Sequence, residues 1–187
     1  MRELILKMSM TVDGFVSDLD GSNRWMYGSD PQSKAWAVET TWNASLHIMG
    51  SRSFLAMAGF WPTSTMEFAP PMNQIPKAVF SRQGPAILRN VPSTSGNWAQ
   101  AYVASGDLAQ EIAKLKAQHG KPILAHGGVS FARSLIAQGL VDQLMLGPVA
   151  LGQGLPLFSQ LAAPLRLQLV SSKAFPGGAV AQIYQPA

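Results

Sequence analysis

Short apolar runs bounded by turn residues recur along this chain, and they predict buried strands. The predicted strands are 3–9, 46–49, 77–80, 101–103, 121–126 and 141–150. Two later runs, 166–174 and 180–185, flank Pro176, Gly177 and Gly178 and predict a terminal hairpin.

Stretches with apolar residues three or four positions apart lie between these strands and predict helices. The predicted helices are 31–44, 51–58, 107–119 and 130–137. We expect the first of them to bury Trp36, Thr40 and Trp42. The Pro- and Gly-containing segments 59–75 and 83–97 predict surface loops.

The alternation of strands and helices predicts the α/β class, with helices on both faces of a mixed, mainly parallel sheet and an antiparallel hairpin at its end. With 187 residues, 47% of them hydrophobic, the chain is long enough for one domain, 1–187, with a proper core. No apolar stretch reaches the roughly 20 residues of a membrane span. Charged residues interrupt the N-terminal apolar run, so no signal peptide is recognised and a cytoplasmic protein is expected.

Composition narrows the chemistry. The absence of cysteine excludes disulfides, zinc–thiolate sites and a thiol nucleophile, and the three histidines are too scattered to predict a metal site. The net charge of +4 is compatible with nucleic-acid binding and equally with a site for an anionic small molecule. The basic residues are dispersed and form no run, which argues against a nucleic-acid surface.

Gly127 and Gly128 are the most informative pair, because they join a predicted strand to a predicted helix. Such a turn suits a phosphate, since glycines permit close approach and the helix start offers unpaired N–H groups. A plain left-handed turn is the alternative. Three other strand ends carry polar residues, at 11–14, 50–53 and 81–82. Because ligands of open α/β sheets lie beyond the carboxyl ends of strands, these turns together fit a dinucleotide with a ribose 2′-phosphate.

Several blocks then resemble a known family in order along nearly the whole chain. They are the segments 9–15 (SMTVDGF), 48–54 (IMGSRSF), 76–82 (PKAVFSR), 127–128 (GG), 140–144 (LVDQL) and 148–158 (PVALGQGLPLF). They are similar to the dihydrofolate reductase-like superfamily, in the group of the C-terminal reductase domain of the bifunctional riboflavin-biosynthesis protein. The resemblance implies a dihydrofolate reductase-like three-layer α/β/α fold and NADPH as hydride donor.

The resemblance also implies roles for individual residues. The implied cofactor contacts are Val12, Gly50, Ser51, Arg52, Ser53, Ser81, Arg82, Gly127, Gly128, Val129 and Ser130, with Ser81 and Arg82 at the 2′-phosphate and the glycine turn at the pyrophosphate. The candidate catalytic residues are Lys7, Asp13 and His126, and the candidate substrate contacts are Ser9, Trp25 and Trp36. No metal site is expected.

Each of these residues also has a purely structural interpretation. Lys7 also fits a surface strand residue, Asp13 fits ordinary turn chemistry, and His126 fits a hydrogen-bonded core histidine. Trp25 and Trp36 also fit core or interface positions.

The sequence departs from the family pattern at three places. The arginine after the second strand is displaced by one residue to Arg52, with Ser51 in the usual arginine position. No carboxylate occupies the region 34–36, where dihydrofolate reductases carry one. His126 replaces the acid that precedes the glycine pair in the riboflavin-type reductases, and its imidazole suits proton donation near neutral pH.

These observations predict an NADPH-dependent reductase that transfers a hydride to a C=O or C=N bond of a ribosylaminopyrimidine phosphate or a pterin-like heterocycle. A non-catalytic NADPH- or heterocycle-binding protein of the same fold is the alternative. A small-molecule substrate is expected, without nucleic acid or membrane partners. A homodimer is expected, with an exposed apolar edge at 144–149 as its interface.

Overall fold

A computed structural model describes residues 1–11, 13–22, 30–146, 153–159 and 161–187. The strands are β1 (Leu4–Lys7), β2 (Leu46–Gly50), β3 (Lys77–Phe80), β4 (Tyr102–Ala104), β5 (Ile123–Ala125), β6 (Gln143–Leu146), β7 (Leu167–Ala174) and β8 (Val180–Pro186). The α-helices are α1 (Pro31–Trp42), α2 (Ser51–Phe60), α3 (Ala69–Gln74), α4 (Leu108–Ala117) and α5 (Val129–Ala137). No helix of these residues is both long and apolar enough to cross a membrane.

One eight-stranded sheet organises the molecule, in the order β4-β3-β2-β5-β1-β6-β8-β7. Strands β1 to β6 pair in parallel, and β8 pairs antiparallel with both β6 and β7. This arrangement confirms the mixed, mainly parallel sheet and the C-terminal hairpin. The hairpin turn closes through the N–H of Gly178, which donates to the Phe175 carbonyl at 2.9 Å.

Alternation along the strands builds a core on each face of the sheet. On one face, Leu4, Leu6 and Ile48 belong to a cluster that includes Phe131 and Leu135 of α5 and Ile112 of α4. On the other face, Ile5 and Leu124 pack with Trp36 of α1, while Met49 and Val79 pack with Phe54 of α2. Helices therefore cover both faces, as the sequence predicts.

Two predicted loops contain ordered structure. Segment 59–75 includes α3, whose Met72 is buried, and segment 83–97 is largely 3₁₀-helical from Gly84 to Asn90. The prediction of surface loops rested on the Pro and Gly residues of these segments, but Pro is also tolerated in the first turn of a helix. Both segments cover a cluster that contains the fully buried Trp98, so they form part of the core.

Two other expectations are wrong. Trp42 is 39% exposed rather than buried, because α1 turns a different side, which carries Ser33, Trp36 and Thr41, toward the sheet. The described part of the expected apolar edge, residues 144–146, is not an edge, since β6 has β1 on one side and β8 on the other and Leu144 is buried. Residues 147–150 of the predicted long strand lie outside the described residues, and the homodimer itself stays a prediction.

Candidate functional site

The polar turns singled out in the sequence lie at one edge of the sheet. They follow β1, β2, β3 and β5, which are parallel and adjacent in the order β3-β2-β5-β1, so their carboxyl ends face the same way. From β1 the chain passes to α1 on one face, and from β5 it passes to α5 on the opposite face. Such a divergence opens the crevice in which α/β sheets bind ligands.

The glycine turn after β5 is closely packed and leaves backbone amides open. Gly127 has φ +82, a conformation that favours glycine, and Met8 packs against it with Sδ 2.7 Å from the place that a Cβ would take. The Gly128 N–H donates to Oγ of Ser53 at 2.8 Å. Helix α5 begins directly afterwards; its first N–H groups have no intrahelical acceptor, and the N-cap residue Gly128 provides no side chain to cap them. The turn thus offers donors and a positive dipole end to an anion.

The turns after β2 and β5 are fastened to each other. The Gly50 N–H donates to the Gly127 carbonyl at 3.2 Å, and a Cβ at Gly50 would lie 3.0 Å from Cβ of Phe131. Because Ser53 accepts from Gly128, its own hydroxyl hydrogen remains available to a ligand. Gly50, Ser53, Gly127 and Gly128 therefore form one continuous surface.

Two arginines flank this surface. Arg52 lies in the first turn of α2 and Arg82 follows β3, and both are exposed. Among the described residues, neither has an ion-pair partner. Ser81 beside Arg82 is buried, and its hydroxyl accepts the Gln83 N–H at 3.2 Å. Ser51 opens α2 and is half-buried, while Val129 is half-buried and Ser130 exposed at the start of α5.

Lys7 and His126 lie at the other end of the crevice. Leu6 of β1 stands opposite Ala125 of β5, so Lys7 and His126, the next residue on each strand, project side by side. Both side chains are half-buried. Burial lowers the pKa of the Lys7 ammonium below its usual range, which makes Lys7 a better proton donor.

The surroundings of His126 bear on its candidate catalytic role. Its pKa lies well below the usual value, first because of burial and then because of His47, Lys7 and Lys77 nearby. The lowered pKa favours a neutral ring, which argues against His126 as the proton donor, and its candidate catalytic role stays a prediction. The buried Nε2 of this ring has no hydrogen-bond partner among the described residues, which departs from the alternative of a fully hydrogen-bonded core histidine.

Two buried basic residues beneath the site were missed by the sequence analysis. His47 of β2 is fully buried and Lys77 of β3 is 2% exposed. The Lys77 ammonium donates to the Ile75 carbonyl and lies 4.8 Å from the centroid of the Trp98 ring, and burial lowers its pKa to about 7. The sequence does contain a signal for their burial: His47 lies within a predicted buried strand, and Lys77 is the first residue of another.

Trp36, a candidate substrate contact, lies apart from the other candidate site residues. Trp36 packs against Phe175, with ring centroids 5.9 Å apart, and lines a cavity of about 480 Å³. That cavity reaches Ile5 and Leu124, two residues before Lys7 and His126 toward the amino ends of their strands. Trp36 therefore lies away from the glycine turn, and its substrate role stays a prediction.

The loop after β1 carries the remaining candidates. Ser9 is half-buried and Asp13 is exposed in a turn closed by the Gly14 N–H, which donates to the Thr11 carbonyl at 2.9 Å. Val12 and Trp25 lie outside the described residues. Within the described ranges no group of acidic and histidine side chains has the arrangement of a metal site.

Comparisons with known proteins agree with this architecture. The family described as the RibD C-terminal domain matches residues 2–181. The uncharacterized protein YyaP of Bacillus subtilis is 29% identical over 185 residues, which are 98% of this chain and 94% of that protein.

Solved structures share the fold. A diaminohydroxyphosphoribosylaminopyrimidine deaminase/5-amino-6-(5-phosphoribosylamino)uracil reductase of Thermotoga maritima superimposes with a TM-score of 0.71 at 16% identity, covering all of this chain and 57% of that chain. Dihydrofolate reductase of Enterococcus faecalis, complexed with NADP(H), gives a TM-score of 0.62 at 12% identity over 98% of this chain and 96% of its own. The chain thus has the dihydrofolate reductase-like fold and spans little more than half of the bifunctional protein.

Proposed function

We propose, because the chain belongs to the RibD C-terminal domain family, that it is an NADPH-dependent reductase of the riboflavin-biosynthesis type. Its substrate is a ribosylaminopyrimidine phosphate or a pterin-like heterocycle, reduced at a C=O or C=N bond. The family supports an oxidoreductase of the riboflavin pathway, and the cofactor and substrate are our inference from the site.

The alignment of four polar turns along one sheet edge carries this proposal. The turns follow adjacent strands β3, β2, β5 and β1. Three spacings between neighbouring strands amount to about 14 Å. A ligand that touches Arg82 at one end and Lys7 at the other is therefore elongated, as a dinucleotide is.

The residues present fit the phosphates of NADPH. The open amides at the start of α5 and the hydroxyl of Ser53 suit the pyrophosphate, because they are donors aimed at one surface. Glycine at positions 127 and 50 keeps that surface bare, and a Cβ there would crowd Met8 or Phe131. Arg82 suits the 2′-phosphate, because its planar guanidinium makes paired, charge-assisted hydrogen bonds.

The opposite end provides the acid–base groups. When bound, NADPH supplies the hydride. The Lys7 ammonium donates a hydrogen bond to the oxygen or nitrogen of the substrate double bond, polarises it, and then delivers the proton that balances the hydride. Water replenishes that proton. Neutral His126 beside Lys7 contributes a hydrogen-bonding ring without adding a second positive charge.

The first test compares NADPH with NADH by quenching of tryptophan fluorescence. Wild-type protein should bind NADPH more tightly. Arg82→Ala should remove that preference by weakening NADPH alone, whereas Arg89→Ala, a control at another exposed arginine, should preserve it. No binding of either dinucleotide would contradict the proposal.

A second test measures oxidation of NADPH over a panel of aminopyrimidine and pterin substrates. The proposed role of Lys7 requires that Lys7→Met lose turnover at least tenfold while retaining NADPH. Binding without turnover of any substrate would instead favour the non-catalytic alternative.

A further inference from the structure

Two histidine rings meet beneath the candidate site. His47 of β2 and His126, which follows β5, pack edge to face with ring centroids 4.6 Å apart and planes inclined by 74°. Nε2 of His47 lies 3.2 Å from the Thr41 carbonyl oxygen. Because a carbonyl oxygen only accepts hydrogen bonds, Nε2 of His47 carries the hydrogen and its Nδ1 is a bare acceptor.

Each ring also has one buried nitrogen without a partner among the described residues. These atoms are Nδ1 of His47 and Nε2 of His126. An unsatisfied buried polar atom is costly, and two such atoms on touching rings complement each other if one is an acceptor and the other an N–H donor. A small ring rotation or one bridging water would join them.

The surroundings keep both rings neutral. The charged groups that act on them are Lys7 from β1 and Lys77 from β3, while α1 contributes the Thr41 carbonyl. Burial lowers the pKa of His47 to about 3, and the two ammonium groups act in the same direction. Two neutral imidazoles can share a directed N–H···N contact, which two imidazolium ions cannot.

We propose, on the premise of the reductase function above, that His47 is a positioning residue that fixes His126 in the tautomer protonated on Nε2. Nδ1 of His126 then presents a lone pair to the substrate. His126 accepts an N–H hydrogen bond from the substrate, while the Lys7 ammonium remains the proton donor. The site therefore selects a heterocycle that offers an N–H or amino group next to the bond that is reduced.

The tautomer is read directly from long-range ¹H–¹⁵N spectra of the imidazoles at neutral pH. The chain has three histidines, and the exposed His119 serves as an internal reference. We expect His126 to appear as a single Nε2–H tautomer in the wild type. His47→Phe should release it into a mixture, and His119→Gln should leave it unchanged. A mixture already present in the wild type, or a His126 signal unchanged in His47→Phe, would overturn the proposal.

Kinetics separate this role from a merely structural one. In His47→Phe the substrate KM should rise by about tenfold, the worth of one hydrogen bond, with NADPH affinity retained. His47→Gln keeps a side-chain acceptor and donor and should recover most of this loss. Amide spectra of both variants show whether each is folded, and the Gln variant supplies the test if the Phe variant is not.

The two proposals fail in different ways. A fixed His126 tautomer in a protein that binds no NADPH would overturn the reductase function and with it the substrate role. A freely exchanging tautomer in an active reductase would overturn only the role of His47. Preference for substrates that lack an N–H group, in an enzyme with the fixed tautomer, would overturn the inferred selectivity.

Discussion

Burial of His47 predicts a specific loss of stability in acid. Its pKa is lowered from 6.5 to about 3, chiefly by burial. Between these values the unfolded chain binds a proton at this histidine and the folded protein does not. The contribution of His47 is therefore fully present above pH 6.5 and is lost as the pH falls toward 3.

The size of this effect follows from the pKa shift. Each pKa unit corresponds to about 1.4 kcal/mol, so the complete loss amounts to roughly 4 to 5 kcal/mol. Replacing His47 with Phe keeps a ring against His126 and removes the titration. The variant also loses the hydrogen bond to Thr41, a penalty of about 1 kcal/mol that does not depend on pH.

The assay is urea unfolding of wild type and His47→Phe at about pH 6.5, 5.5 and 4.5. The informative quantity is the slope of the free energy of unfolding against pH, because the lost hydrogen bond changes that free energy by the same amount at every pH. The free energy of unfolding of the wild type relative to the variant should fall by about 1.0 kcal/mol from pH 6.5 to 5.5 and by about 1.3 kcal/mol from pH 5.5 to 4.5. His126 is present in both proteins, and burial, the largest cause of its lowered pKa, is kept in His47→Phe. His119→Phe, at an exposed histidine, should retain the wild-type slope. Parallel slopes for wild type and His47→Phe would refute the reasoning.

Three further substitutions test other parts of the structure. Gly154→Ala should lower the free energy of unfolding in chemical denaturation by about 1–3 kcal/mol, because its Cβ would collide with the Ser17 carbonyl oxygen. Gly59→Ala, on the open face of α2, should raise it by up to about 1 kcal/mol, and equal effects of the two variants would contradict this packing. Ser53→Ala should cost about 1 kcal/mol by leaving the N–H at the start of α5 unpaired, and it should weaken NADPH in a fluorescence titration; wild-type NADPH affinity would argue against the shared surface. Lys77→Met should lose stability relative to wild type as the pH rises above about 7, since the neutral amine is favoured in the fold, and a relative gain with pH would reverse the assigned sign.

The sheet was largely predictable because local pattern determines it. Apolar runs ended by turns gave the strands, and the hairpin was visible from Pro176, Gly177 and Gly178 between two strand-like segments. Which strand the hairpin joins is a long-range choice that no local pattern encodes. For that reason β6 was expected at an edge, although β8 covers it.

The site was predictable only where its chemistry lies in the turns. Two adjacent glycines between a predicted strand and a predicted helix indicate a ligand-binding turn, and His126 is placed by the strand that precedes them. His47 was missed because Leu46 and Ile48 on either side make it look like one more residue of an apolar strand. Its contact with His126 joins positions far apart in the chain, and the burial that lowers the pKa of both rings exists only in the folded protein.

The most direct test of the reductase account is an NADPH titration followed by amide ¹H–¹⁵N spectra of the labelled protein. We predict saturable shifts at residues 50–53, 81–82 and 127–130, with those at 81–82 absent when NADH replaces NADPH. Absence of saturable binding, or shifts confined to the cavity beside Trp36, would contradict the claim that this edge of the sheet binds the cofactor.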